Sequence, residues 1–223
     1  MLFSLGLLCA LVALQSPIDT GGDRYLLSLH MVQHLLLMLV IPPLMLLGVA
    51  GMRPPRPSLA PRWRAAWRAL TRPWAATIVF NVVLLVWHLP VLYNTTLTDD
   101  ALHIVEHITF IGVGVVYWWP IIDPVRGPTS VTVTPLQKIA MLTVAGIPPT
   151  LLGFVFVMGR SAFYSFYADA PRLWGLTAVP DQQIAGVLML GAGNLIYFVA
   201  ITVIFLRMFR SPEEDEDVVA ATS

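Results

Sequence analysis

The sequence predicts an all-α fold, a polytopic membrane bundle of about six transmembrane helices. Two observations indicate this class. The chain has 223 residues, of which 57% are hydrophobic and 12% charged, and its mean hydropathy is +0.76, which is too apolar for an ordinary soluble domain. The apolar residues also fall into separate runs divided by polar loops, as expected for helices that cross a bilayer in turn.

Six apolar runs predict the individual helices. All but the first approach the ~20 residues that cross the hydrocarbon core. The first run has the length of a signal-peptide core, but no basic residue precedes it and no clear cleavage site follows, so we expect a short first helix. Residues 1–210 then form a single membrane domain, and the acidic residues 211–223 are expected to be a disordered tail. The predicted spans cover residues 2–14, 26–49, 75–93, 101–122, 136–158 and 184–208.

Basic residues in the loops predict the orientation of the bundle. Loops rich in arginine stay on the cytoplasmic side, which places both termini in the cytoplasm. The same loop contains PRWRAAWRALTRPW, a pattern typical of a short helix at the membrane surface. Trp87 and Tyr93 are assigned to the outer aromatic belt and Trp118 to the inner one. The arginines between the second and third spans are Arg53, Arg56, Arg62, Arg64, Arg68 and Arg72.

Prolines predict irregular helices at three places. Proline lacks the backbone N–H and clashes with the preceding turn. Pro90, two residues after His88, is expected to loosen the outer end of the third helix. The pairs Pro42–Pro43 and Pro148–Pro149 are expected to interrupt the second and fifth spans.

The histidines are the most informative residues of the chain. There are five, and each lies in a predicted span. Two pairs have the spacing His-x-x-x-His, which places both imidazoles on one helical face. With the orientation set by arginine, all five fall in one layer of the outer leaflet. Polar groups in lipid are costly and by default mark a functional site, so we predict a metal site formed by His30, His34, His88, His103 and His107.

Other residues near this layer are candidates for an auxiliary role. Glu106 lies between the histidines of HIVEH and could bind metal, support an imidazole or carry protons. Met31 and Met38 follow the histidines of the second span, and thioethers are soft ligands that favour Cu(I). Asp181 and Gln182 begin the last span at the same outer level, as helix caps or as a lid over the site.

Four motifs of the chain point to a known family. They are HMVQHLLLMLVIPPLMLLG, WHLPVLY, HIVEHITF and DQQIAG, which begin at His30, Trp87, His103 and Asp181. Together they resemble the multi-spanning CtaG family of cytochrome c oxidase assembly factors. The resemblance implies a non-enzymatic protein of the bacterial plasma membrane that helps to supply copper to the haem-copper site of the oxidase. It implies the same five histidines as candidate ligands, an oxidase subunit as partner and a copper donor protein as a second one.

Two other functions fit the histidines. Histidines from facing helices also bind b-type haem as axial ligands, which would make the chain an electron-transfer protein. HIVEH also matches the H-x-x-E-H pattern of zinc proteases, with Glu106 as general base. Nucleic-acid binding is not expected, because the net charge is zero. The only cysteine, Cys9, excludes a disulfide within the chain and a cysteine-based zinc site.

Overall fold

Ten helices account for most of the described chain. The structure is a computed structural model that describes residues 1–50, 60–124 and 131–209. No β-strand occurs in these residues, and the predicted acidic tail lies outside them. The helices are Leu2–Gln15 (α1), Pro17–Arg24 (α2), Leu27–Val49 (α3), Pro61–Leu70 (α4), Pro73–Trp87 (α5), Pro90–Thr96 (α6), Asp100–Ile122 (α7), Pro135–Met158 (α8), Ser165–Asp169 (α9) and Ala178–Arg207 (α10).

Four of these helices are long and apolar enough to cross a membrane without a break. They are α3, α7, α8 and α10. Two further pairs qualify as bent spans, α1 with α2 at an angle of 40° and α4 with α5 at 74°. If each pair counts as one span, the described chain has up to six, in agreement with the sequence-based prediction. The all-α membrane bundle is therefore confirmed.

Five helices close a ring around the core of the bundle. Helix α3 contacts α7 on one side and α10 on the other, α5 contacts both α7 and α8, and α8 contacts α10. Helix α1 packs outside this ring against the second half of α3. The first half of α3 contacts α2 and α10, and its side chains His30 and His34 are buried inside the bundle.

The third predicted span is broken where its histidine lies. Residues 75–93 do not form one helix, because α5 ends at Trp87 and α6 begins at Pro90. His88 lies between them with φ −84° and ψ 0°. The expected effect of Pro90 is thus confirmed and is larger than loosening, since a proline ring excludes the preceding residue from helical geometry. The break turns the His88 side chain into the bundle at a helix end.

The proline pair of α3 follows an irregular turn, whereas the proline pair of α8 lies inside a continuous helix. Pro42 cannot donate to the carbonyl of Met38, and the preceding residues Leu36–Val40 form a π-helical turn inside α3. The indole nitrogen of Trp118 donates to that Met38 carbonyl at 3.2 Å, so the group freed by proline keeps a partner. Pro148 and Pro149 lie inside α8, which continues through them. The prediction that they interrupt the span is wrong.

Several aromatic residues assigned to the membrane surface are instead buried. Tyr93 is 0% exposed, Trp118 4% and Trp87 8%. Trp87 donates its indole N–H to the Thr109 hydroxyl at 2.8 Å. An aromatic residue at a span end can face either lipid headgroups or a neighbouring helix, and the tertiary packing selects the second. The short surface helix is present as α4, where Trp63 remains 59% exposed.

The Trp118 hydrogen bond provides a test of the bundle. Trp118→Phe should lower the free energy of unfolding by about 1–3 kcal/mol, because it leaves the buried Met38 carbonyl without a donor. Thermal unfolding in detergent measures the effect. Trp74→Phe is the matched control, since that indole is 56% exposed and should leave the midpoint nearly unchanged. Equal midpoints for the two variants would contradict the assigned role of Trp118.

Candidate metal centre

All five histidines meet at one level of the bundle. His30 and His34 come from α3, His88 from the turn after α5, and His103 and His107 from α7. The ring centroids of His30 lie 4.3 Å from His34, 5.3 Å from His103 and 6.2 Å from His107. His34 lies 5.7 Å from His88. The prediction of a single histidine layer is therefore confirmed, whereas metal binding by these residues stays a prediction.

Four side chains form the tightest donor group. One nitrogen from each of His30, His103 and His107 and one oxygen of Glu106 all lie within 4.8 Å of one another. The Nε2 atoms of His30 and His103 are 3.3 Å apart. Glu106 and His107 are adjacent in α7, and His103 lies one turn earlier on the same face, which is how the spacing H-x-x-E-H brings three donors together. We call these four residues the outer donor group.

Many donor atoms in this layer have no partner. Buried polar groups normally have hydrogen bonds, and burying a charge without a partner is costly. Within the described chain, six buried nitrogen and oxygen atoms of the cluster accept or donate no hydrogen bond. A bound cation would satisfy atoms of this kind, which makes the donor chemistry suitable for a metal. The atoms are His34 Nδ1 and Nε2, His88 Nε2, His107 Nε2, and Glu106 Oε1 and Oε2.

The carboxylate of Glu106 is the least solvated acidic group of the site. Its side chain is 0% exposed, and its Oε1 lies 3.6 Å from His34 Nε2. That distance is longer than a hydrogen bond. A carboxylate in an apolar interior requires a nearby cation or a proton, so Glu106 adds negative charge where a metal ion would bind.

A backbone contact sets the tautomer of His88. Its Nδ1 lies 2.8 Å from the carbonyl oxygen of Leu84. A carbonyl can only accept, so the proton is on Nδ1 and the lone pair is on Nε2. That Nε2 is buried and without a partner in the described residues. Metal-binding histidines commonly donate their second nitrogen to a carbonyl in this way.

Two tyrosine hydroxyls contact Nδ1 of His30. The Tyr167 hydroxyl donates to the Gly22 carbonyl at 2.6 Å, so at its 3.0 Å contact with His30 Nδ1 it accepts. The Tyr93 hydroxyl lies 2.8 Å from the same nitrogen. Burial raises the pKa of Tyr167 well above its ordinary value, so the hydroxyl keeps its proton. In the tautomer that donates from Nδ1 to Tyr167, the Nε2 lone pair of His30 faces His103 Nε2 at 3.3 Å.

Three tyrosines, Tyr93, Tyr164 and Tyr167, cover the histidines on one side, and we call them the tyrosine roof. This role was not predicted from the sequence. Tyr93 and Tyr164 stack with ring centroids 3.9 Å apart, and the Tyr164 hydroxyl donates to the His88 carbonyl at 3.0 Å. Tyr164 and Tyr167 come from the segment between α8 and α10. Their spacing of three residues in an outer loop was the available signal, but nothing in it indicates contact with a histidine more than 130 residues away.

Close packing holds α2 against the site. A Cβ added to Gly22 would lie 2.9 Å from both the Cα and the nitrogen of His30. No side chain fits in that space, so only glycine permits this approach. It also brings the Gly22 carbonyl to Tyr167, and it places Asp23 beside the cluster, with Oδ1 3.5 Å from His103 Nε2.

The edge at Asp23 is the most accessible side of the cluster. The side chain of His103 is 12% exposed and that of Asp23 is 28% exposed, whereas the side chains of His34 and Glu106 are 5% and 0% exposed. Asp23 and His103 are therefore the residues of this cluster that water reaches most easily. Asp23 was not among the residues singled out from the sequence, because its contact arises only from the packing of α2.

Asp181 and Gln182 have structural roles. Asp181 accepts hydrogen bonds from the backbone N–H groups of Leu27 and Ser28 at 2.6 and 3.1 Å. It therefore caps α3 across the bundle, although it belongs to α10. The Gln182 oxygen accepts from the Phe163 N–H at 2.8 Å. Neither residue caps its own helix, whose N-cap is Thr177, so the expected cap is found on α3 instead and only for Asp181.

Met31 and Met38 lie next to the histidines but outside the outer donor group. Both line a cavity of about 30 Å³ that also borders His34 and His88. Met31 is 1% exposed and Met38 is 3% exposed. The chain thus places thioethers on one side of the histidine layer and a carboxylate within it.

The geometry gives no support to the haem alternative, because a haem between two histidines needs a flat slot of its own size and the imidazoles of this layer contact one another directly. Asp181, the candidate for the further carboxylate ligand of a zinc protease, is not free to bind a metal, since both of its oxygens already accept hydrogen bonds from α3.

A bundle of long apolar helices that encloses a histidine cluster defines a polytopic membrane protein with a candidate metal centre. The sequence profile described as cytochrome c oxidase caa3 assembly factor (Caa3_CtaG) matches residues 1–211. The chain therefore belongs to the CtaG family of cytochrome c oxidase assembly factors, and the resemblance noted from its motifs is confirmed. Neither the comparison with curated proteins nor that with solved structures found a match.

Nitrogen NMR of the metal-free protein tests the assigned tautomers. We expect His88 and His30 to carry their protons on Nδ1, because the first faces a carbonyl and the second faces the Tyr167 oxygen. Tyr167→Phe should change the ¹⁵N signals of His30 and leave those of His88 unaltered. A protonated Nε2 on His88 in the unaltered protein would contradict this reading of the site.

Proposed function

We propose that this chain is a non-catalytic assembly factor that binds copper at its outer donor group and helps to deliver it to the haem-copper site of cytochrome c oxidase. The observation that carries the proposal is the buried group of His30, His103, Glu106 and His107, whose donor atoms lie within 4.8 Å of one another. His34 and His88, the other two histidines predicted as ligands, adjoin this group.

The donor chemistry supports a transition metal, and the family supports copper. Imidazole binds copper, zinc and iron alike, so the outer donor group alone does not select among them. The chain belongs to a family of assembly factors for an oxidase, and the methionines beside His34 and His88 are soft ligands that favour Cu(I). We therefore assign copper, with Cu(I) favoured over zinc.

The arrangement of the site also suits transfer rather than storage. Its ligands come from α3, α7 and the turn at His88, so a small movement of one element changes the coordination. The accessible edge at Asp23 and His103 offers a partner access to the metal. We propose that a copper donor protein loads the site at this edge and that an oxidase subunit receives the ion there.

Loop charge supports the side of the membrane. We propose that the chain lies in the bacterial plasma membrane with both termini in the cytoplasm. Arginines cluster in and around α4, and such clusters stay inside the cell. The histidine layer then opens toward the extracytoplasmic side, from which copper arrives.

Copper binding and oxidase maturation test the function together. The purified chain should bind Cu(I), and a variant with alanine at His30, His34, His103 and His107 should bind clearly less than the unaltered chain. Cells that lack the chain should make oxidase with haem but without copper, and only the unaltered chain should restore it. Asp100→Asn is the control on α7, outside the donor group, and should restore copper fully. Copper binding by the four-histidine variant at the wild-type level would refute the proposal.

Thiol labelling tests the orientation. In a Cys9→Ser background, Thr98→Cys and Ala65→Cys each place one exposed thiol at opposite ends of the bundle. A membrane-impermeant maleimide should label Thr98→Cys in intact cells and Ala65→Cys only after the membrane is permeabilised, because the arginine-rich end faces the cytoplasm. The reverse labelling would place the metal site on the cytoplasmic side.

A further inference from the structure

A small cavity lies directly beside His34 and His88, the two histidines outside the outer donor group. It has a volume of about 30 Å³, more than the roughly 10–15 Å³ that a single water molecule or ion needs. His34 and His88 line it, and so do the methionines Met31, Met38 and Met189. Two imidazoles and three thioethers therefore border one cavity.

Three imidazole nitrogens of the histidines that line this cavity have no hydrogen bond in the described residues. His88 presents an unprotonated Nε2, since its proton is held on Nδ1 by the Leu84 carbonyl. Neither nitrogen of His34 forms a hydrogen bond in the described chain. Buried polar atoms of this kind normally have a hydrogen-bond partner. His88 is not a member of the outer donor group, so its lone pair has no role there.

The methionines reach the cavity from two unusual helical turns. Met38 belongs to the π-helical turn Leu36–Val40 of α3, and Met189 begins a second one, Met189–Gly193, in α10. Turns of this type are rare and frequently occur at functional sites. Met38 and Met189 border the same cavity, although they lie about 150 residues apart in the sequence. Two rare turns at the same cavity therefore favour a functional role for this cavity.

The charge of the lining selects the ion. No acidic residue is among the described residues that line the cavity, so an ion there would have only neutral ligands. A divalent cation is far more costly to bury without a carboxylate than a monovalent one. Thioethers are soft donors that select Cu(I), and both properties exclude hard divalent ions such as magnesium.

We propose that this cavity is a second, inner copper(I) site, bound by His88 and by the sulfur atoms of Met38 and Met189, with His34 between it and the outer donor group. The inference rests on the proposed function, because the outer donor group supplies the ion. His34 lies 4.3 Å from His30 and 5.7 Å from His88 between ring centroids. It is therefore within reach of both sites and can pass the ion from one to the other.

Anaerobic Cu(I) titration of the full chain in detergent, against a chromophoric chelator, tests the inner site. The wild-type chain should bind two copper ions. Met38→Leu with Met189→Leu should bind one, since leucine keeps the volume but removes the sulfur. His103→Ala with His107→Ala should also bind one, through the inner site. Met141→Leu is the matched control, because Met141 is equally buried but does not line the cavity, and it should bind two.

X-ray absorption at the copper edge identifies the ligands independently of variant folding. The wild type and the His103→Ala, His107→Ala variant should show copper–sulfur scattering, which the double methionine variant should lack. One copper without sulfur in the wild type overturns the inner site and leaves the proposed function standing. Two coppers with sulfur retained in the methionine variant also overturn it, as does loss of all copper in the His103→Ala, His107→Ala variant. No copper in the wild type overturns both.

Discussion

The rest of the structure depends on one constraint, the need of every polar group within the bundle for a partner that lipid cannot provide. The chain satisfies its irregular backbone internally. Trp118 donates to the carbonyl released by Pro42, and Asp181 accepts from the first N–H groups of α3. Against this background the histidine layer stands out, because Glu106 and several imidazole nitrogens are buried without partners. Of the twelve buried side-chain atoms without a hydrogen bond in the described residues, six lie in this layer, which favours a role for them as ligand atoms.

Helix α3 connects this layer to the packing of the whole bundle. Its first half carries His30 and His34 and is anchored by α2 and α10, while its second half contacts α1 and α7. The site is completed by short segments, since Tyr93 on α6 and Tyr167 on α9 both contact His30. Ligands on long helices are held rigidly, whereas the tyrosine roof lies on short helices that connect the spans. The tyrosines are nevertheless part of the core, because they pack in one buried cluster with Met31 and Met189.

The chemical type of the donor groups differs between the outer donor group and the inner cavity. The outer donor group combines imidazole with the carboxylate of Glu106 next to the accessible edge, and the inner cavity combines imidazole with methionine. Hard and charged donors suit capture of an ion that leaves water, while soft and neutral ones suit a monovalent ion already dehydrated. His34 contacts both groups of residues, so the order of donors along the bundle follows from the spacing of His30, His34 and Met38 on one face of α3.

The sequence by itself determined the helical class, the number of spans and the histidine layer. These depend on local properties, namely the length of apolar runs and the repeat of side chains every three to four residues, which place His30 with His34 and His103 with His107 whatever the neighbours are. It also indicated the break at Pro90. Only the tertiary structure decided which groups surround the histidines. The contacts of Tyr167 and Asp23 with the cluster, the capping of α3 by Asp181 and the place of Met189 at the cavity join residues distant in the chain, and no local pattern specifies which helix faces which. The continuity of α8 through Pro148 and Pro149 and the burial of Tyr93 have the same cause, because neighbouring helices supply packing that a single segment lacks.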